Sequence, residues 1–282
     1  MARRRLAAQP KSRLAIWARR LALFSLAATL IGVIIVRSGA LEIVPALSTL
    51  AGALVLAVVA ILLAFAAGVA IWREGISGIG EAVTGLLVGV ALIAYPVYLG
   101  VKAYRLPAIY DVTTDPIDPP RFEAIARLRP RDANPVNYAG IYSAEQQREA
   151  YSDIEPDVTD SSPLQAYDAA LKIVTKRKWR VVDARPPQVA PPREGLIEAI
   201  ARTPILGFRD DVVVRVRAAP EGARIDVRSA SRYGRHDLGA NAARVRLLID
   251  DIDDLLATPT PEKKQPDAKP AQPAGRGNSA KR

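Results

Sequence analysis

The chain has no cysteine, a single histidine and a single methionine among its 282 residues. The missing cysteines exclude a disulfide framework, a cysteine nucleophile, an iron–sulfur cluster and any Cys-based zinc site. One histidine excludes a His-rich metal centre. Aromatic residues are scarce, 6% against 50% hydrophobic overall, so the apolar content is mostly aliphatic. No Gly-x-Ser-x-Gly elbow occurs, so nothing marks a hydrolase nucleophile. We expect no metal and no cofactor, and assign no catalytic residue.

Acidic residues are absent from positions 1–20, which carry seven Lys/Arg. Residues 21–105 carry four basic and three acidic residues, residues 106–257 carry 22 and 24, and residues 258–282 carry six and two. The net charge of +10 is therefore concentrated at the two ends. A basic nucleic-acid-binding face is not supported, and no nucleic-acid partner is expected. A basic start ahead of an apolar run instead marks a membrane protein with a cytoplasmic N-terminus.

Three long stretches lack charge: residues 21–36, 43–72 and 82–101. Each reads as a membrane-spanning helix, because a backbone in hydrocarbon must satisfy its own amides. We place the spans at about 21–38, 46–71 and 82–101, after a basic cytoplasmic segment 1–20. Trp17 and Trp72 fall at one interface, and Tyr95, Tyr98 and Tyr104 near the other. Three crossings put residues 106–257 on the opposite side from the N-terminus. The expected location is the bacterial inner membrane with a periplasmic C-terminal domain. Ser38-Gly39-Ala40 has small residues at signal-peptidase spacing, which leaves open cleavage after Ala40.

Within the third span, Gly85 and Gly89 form a small-xxx-small spacing that lets another helix backbone approach closely. A dimerisation seam is one reading. Packing against the other two spans of the same chain is the preferred one. Glu81 sits at the entrance of that span, where headgroups and a helix N-terminus suit a carboxylate. No polar file runs through the spans, so a channel or pump is not expected. Gly78-Ile-Gly80 has no strand before it, which excludes a dinucleotide fingerprint.

Prolines interrupt residues 107–135, leaving room for one short helix at 121–128. The region to 156 reads as extended chain laid over the domain, anchored by Tyr110, Phe122, Tyr138, Tyr142 and Tyr151. Ser162 and Pro163 open a helix closed by Lys176-Arg177-Lys178. Strands follow at 179–182, 196–202, 212–217 and 225–229. In the third, Val212, Val214 and Val216 alternate with Val213, Arg215 and Arg217, which reads as half-buried. A last amphipathic helix covers 239–256. Residues 106–257 thus form an α+β domain: helix, four-strand antiparallel sheet, helix. The tail 258–282 lacks periodicity and is expected to be disordered.

The segments DVTTDPIDPPRF (111–122), YSDIEP (151–156), KWRVVD (178–183), GFRDDVVVRV (207–216) and SASRYGRHDLGANAARV (229–245) resemble the bacterial domain of unknown function 1499 family. The last is the most specific. The resemblance covers about residues 106–257. It implies a membrane-anchored α+β domain and no particular activity.

Residues 231–241 (SRYGRHDLGAN) join the last strand to the last helix. Arg232, His236, Asp237, Asn241 and Arg244 gather there around two glycines. One reading is an anion site for a carboxylate, phosphate or lipid headgroup. The preferred reading is structural: Asp237 caps the helix and Arg232 pairs with Asp237 or Asp211. Asp210 and Asp211 point to opposite faces of a strand and do not converge as an acid–base pair. The leading function is a non-catalytic, envelope-anchored interaction or ligand-binding module. Its expected partners are the bilayer and, beyond it, envelope proteins or an anionic ligand. A membrane-tethered hydrolase using residues 232–241 is the alternative.

Overall fold

The computed structural model describes residues 9–257, so the tail reading lies outside the described residues. Three helices come first: α1 (Arg13–Ser38), α2 (Ile43–Glu74) and α3 (Ile79–Arg105). All three are long and apolar enough to cross a membrane. They overrun the uncharged stretches at the ends. Ser12 caps α1 by accepting from the Ala15 amide, and Arg19 and Arg20 lie inside its first turns.

The buried positions of the bundle are nearly all small. They include Ala15, Ala18, Ala22, Ser25 and Gly32 on α1, Ala53, Ala57, Ala60, Ala64 and Ala67 on α2, and Ala82, Gly85 and Gly89 on α3. Large side chains such as Phe24, Leu62, Phe65 and Leu87 point outward. This inversion suits a lipid surround, where backbone approach rather than water exclusion drives association. A Cβ on Gly85 would lie 2.8 Å from the Ala18 carbonyl carbon, and one on Gly89 would lie 2.6 Å from Cγ1 of Ile61. Both glycines therefore seat α3 against α1 and α2 of the same chain. Ser25 donates across the seam to the Ala53 carbonyl at 2.6 Å.

The two ends of the bundle are distinct. The Ser12 amide donates to Ser77 O (2.9 Å) and the Ser77 amide to Pro10 O (3.1 Å), while Lys11 pairs with Glu81 at 2.9 Å. The chain before α1 and the α2–α3 turn thus meet at one end. The α1–α2 turn and the remainder of the chain lie at the other.

The remainder is an α+β domain of antiparallel strands and helices. In chain order it contains β1 (Asp111–Thr113), a 3-10 turn (Ile125–Leu128), α4 (Ile141–Ala150), β2 (Asp157–Thr159), α5 (Pro163–Lys176), β3 (Arg180–Arg185), β4 (Gly195–Arg202), β5 (Arg209–Ala219), β6 (Gly222–Ser231) and α6 (Ala240–Ala257). The sheet runs β1-β6-β5-β4-β3, with β2 also on β6. It has six strands rather than four. The two extra strands are three residues each, too short for a period of two to register in a sequence. Helix α4 replaces part of the expected extended chain. It exposes Ile141 and Tyr142 and buries Ser143 and Gln147, against the usual polarity of a helix. Gln147 explains the inversion: its amide pairs with both the N–H and C=O of Thr113 (3.0 and 2.7 Å) and so continues the ladder beyond edge strand β1. Of the expected anchors, Phe122 and Tyr151 are buried and Tyr142 is exposed.

Helices α5 and α6 cover one sheet face, over Ile197, Ala199, Val212, Val214, Val216, Ile225 and Val227. A full capping box between Ser162 and Gln165 starts α5. At its end Arg177 donates to Asp251 and to the Leu247 carbonyl, pinning α5 to α6.

Replacing Gly85 with Leu is expected to force α3 off α1. Overpacking of this kind costs about 1–3 kcal/mol, and its backbone contact cannot move aside. Thermal unfolding in detergent should show the loss, with Gly80→Leu, which faces open space, as the neutral control.

Candidate functional site

The second sheet face is covered as well. Residues 110–136 lie across it as a strap. Beneath the strap sits a small apolar cluster of Phe122, Ile125, Leu196, Ile200, Val213 and Ala230. Around that cluster the face is charged. Arg228 is 2% exposed. It grips Asp111 with Nε and Nη2 (2.9 and 2.7 Å) and donates to the carbonyls of Pro120 and Val136. Its guanidinium also stacks near the Phe122 and Tyr138 rings. Burial raises the Asp111 carboxyl above its ordinary value, and the Arg228 guanidinium opposes that rise. Burial likewise pushes the Tyr138 hydroxyl up to about 12.

Three further knots complete the face. Fully buried Asp226 receives Arg215, Arg217 and Arg224, which also reach Asp115 and Asp118 of the strap. Arg215 holds the Asp118 carboxyl below its usual range, with Arg217 assisting. Buried Glu198 accepts the amides of Glu123, Ala124 and Ile125 (3.0, 2.9 and 2.8 Å), satisfying the open start of the 3-10 turn. Asp211 takes Arg232 on one oxygen (2.9 and 2.7 Å) and Arg129 on the other (2.6 Å).

The segment 231–241 is equally committed to internal partners. Asp237 accepts the amides of Gly239 and Asn241 (2.9 and 2.8 Å). Asn241, fully buried, donates to Tyr110 O and to the Ser231 hydroxyl, and accepts from Ser229 and Arg244. Arg244 also reaches Asp210 at 2.5 Å. Burial raises the Asp210 and Asp237 carboxyls; Arg244 opposes the first shift and the capping amides the second. His236 Nδ1 accepts from the Leu238 amide (3.0 Å), which leaves Nε2 to donate to Ala103 O at 3.1 Å, near the end of α3. The structure therefore brings Arg244, Asn241 and Asp237 together, points Arg232 to the sheet face, and turns His236 toward the apolar helices. Asp210 and Asp211 do diverge to opposite faces.

A cleft of about 580 Å³, one of several on the surface, opens between the α1–α2 turn and the β4–β5 hairpin. Arg37, Glu42, Asp132, Arg202, Arg209 and Tyr233 line it. Arg37 holds the hairpin by donating to Pro204 O (2.6 Å) and Ile205 O (3.2 Å). Gly207, with φ near +69°, lets the hairpin close on Arg37, since a Cβ there would meet its Cγ at 3.0 Å. Among the described residues no group of three His, Asp or Glu side chains is arranged to hold a metal.

With this geometry in hand, the family can be read. The profile of "Protein of unknown function (DUF1499)" matches residues 111–252. The chain belongs to the DUF1499 family. No significant match was found among curated proteins or among solved structures. The DUF1499 match begins at Asp111, the residue that grips Arg228, and ends at Ile252, the last fully buried side chain of α6. The strap thus belongs to the DUF1499 domain, whereas the three apolar helices, with Arg37, lie outside the match.

Sequence reasoning missed Asp111, Glu198, Asp226 and Arg228. One signal was available: Arg215 and Arg217 on β5, and Arg224, Asp226 and Arg228 on β6, share the parity of one face. At the far end of the domain, burial beside Asp157, Asp250 and Asp254 raises the Asp253 carboxyl from 3.8 to about 6.

Two outcomes follow. Arg228→Leu strands a fully buried carboxylate, which should cost about 3–5 kcal/mol in urea unfolding, and adding Asp111→Leu should restore part of the loss. For Asp253, a folded value above the unfolded one means that stability is lost as pH rises from about 3.8 to about 6. Asp253→Asn should therefore raise the unfolding midpoint at pH 8 and leave it nearly unchanged at pH 4.

Proposed function

We propose that the chain is a bacterial inner-membrane protein holding its DUF1499 domain against the periplasmic face of the bilayer. The domain acts there as a non-catalytic interaction or ligand-binding module. The observation that carries this reading is the docking of the domain on the ends of the helices. Arg37 at the end of α1 clasps the β4–β5 hairpin, His236 bonds the Ala103 carbonyl of α3, and Leu106 packs on Gly239. Lys11, Arg13, Arg19 and Arg20 lie at the opposite end, where the positive-inside rule favours the cytoplasm. The side chains that resembled catalytic groups serve as caps and ion-pair partners, which favours binding over hydrolysis.

Two measurements test it. Alkaline phosphatase fused after Ala257 should be active and green fluorescent protein at the same place dark; the reverse pattern overturns the periplasmic assignment. Because the chain has no native cysteine, Arg37→Cys with Ile205→Cys should crosslink efficiently with a short bis-maleimide in membranes. Failure to crosslink overturns the docking.

A further inference from the structure

Two arginine pairs face each other directly across the sheet. Arg217 on β5 is opposite Arg224 on β6, and Arg202 on β4 is opposite Arg209 on β5. Like charges in register destabilise a strand pair. The first pair is neutralised: Asp226 accepts from Arg217 and from Arg224 at 2.9 Å each, and Asp115 lies 2.6 Å from Arg224. The second pair has no such bridge. Among the described residues neither Arg202 nor Arg209 has a carboxylate within ion-pair distance. Both are exposed and line the cleft under the α1–α2 turn.

The surroundings of this pair point the same way. Arg37 adds a third guanidinium, engaged by carbonyl oxygens and by no carboxylate. Arg232 also lines the cleft, but Asp211 satisfies it. Glu42 and Asp132 are the acids of the lining. Arg37 directly follows the apolar run of α1, which sets the cleft at the depth of lipid phosphates. Exposed Leu41, Val44 and Ile205 lie beside it, suited to acyl chains.

We propose that this cleft is a phosphate-binding site, in which Arg202 and Arg209, with Arg37, hold the phosphate group of an anionic phospholipid headgroup or a free phosphate. The anion takes the place that Asp226 holds between Arg217 and Arg224. Planar guanidinium forks suit phosphate oxygens in a bidentate manner. The site rests on the reading that this face of the domain lies against the membrane.

The test uses the full chain in nanodiscs of phosphatidylcholine alone or mixed with phosphatidylglycerol. For the native chain, phosphatidylglycerol should raise the unfolding midpoint and co-purify in excess. The Arg202→Gln/Arg209→Gln variant should lose both effects. In phosphatidylcholine alone it should be at least as stable as the native chain, because the unbridged repulsion is gone. Arg121→Gln/Arg235→Gln, which removes two exposed charges elsewhere, should keep the full shift. Inorganic phosphate added to phosphatidylcholine discs separates the sources: a matching shift identifies a soluble phosphate, and its absence beside a phosphatidylglycerol shift identifies the lipid. An undiminished shift in the Arg202/Arg209 variant, or an equal destabilisation in both lipids, overturns the site. A formed Arg37–Ile205 crosslink with no phosphate-dependent shift overturns the site while leaving the docking intact.

Discussion

The buried ion pair between Arg228 and Asp111 decides the shape of the domain. Asp111 comes just after the chain leaves α3, and Arg228 lies on a central strand, so the pair fastens the start of the strap to the middle of the sheet. Two buried charges are tolerated in low dielectric only when they are paired and held by further hydrogen bonds. Arg228 meets that condition with a carboxylate, two carbonyls and two aromatic rings. Once this knot is tied, the strap must cross the charged face. Asp115, Asp118 and the amides at 123–125 then fall onto Arg215, Arg224 and Glu198.

Such a network has a consequence for reading function. Most polar clusters that look functional in a linear sequence are consumed by it. Arg232 belongs to Asp211, Arg244 to Asp210 and Asn241, and Asp237 to the first amides of α6. The informative residues are the ones the network leaves out. Arg202 and Arg209 stand in the same sheet, on the same face and in the same opposed register as Arg217 and Arg224, yet without the shared carboxylate. That asymmetry within one sheet directs attention to the cleft under the α1–α2 turn.

The bundle and the domain obey opposite packing rules and meet at few points. The bundle buries Ala, Ser and Gly and exposes Phe, Leu and Val, whereas the domain buries Ile, Val and Leu under two helices. Arg37, His236 and Leu106 join the two. The junction combines guanidinium and imidazole bonds to carbonyls with the Leu106–Gly239 contact.

By itself the sequence determined whatever depends on short-range pattern. Long uncharged runs set three apolar helices of membrane-crossing length. Valine alternation set β5, and Ser162-Pro163 set the start of α5. The α+β class and the family could be read from residues 106–257 in the same way. The tertiary structure alone decided matters carried by long sequence separations. Gln147 turns a polar helix inward to extend β1. Arg228 finds Asp111 over a hundred residues away, and Arg37 meets a hairpin more distant still. A charged strand face looks the same in sequence whether water or a strap covers it. Only the fold shows which arginines are paired and which remain free to bind.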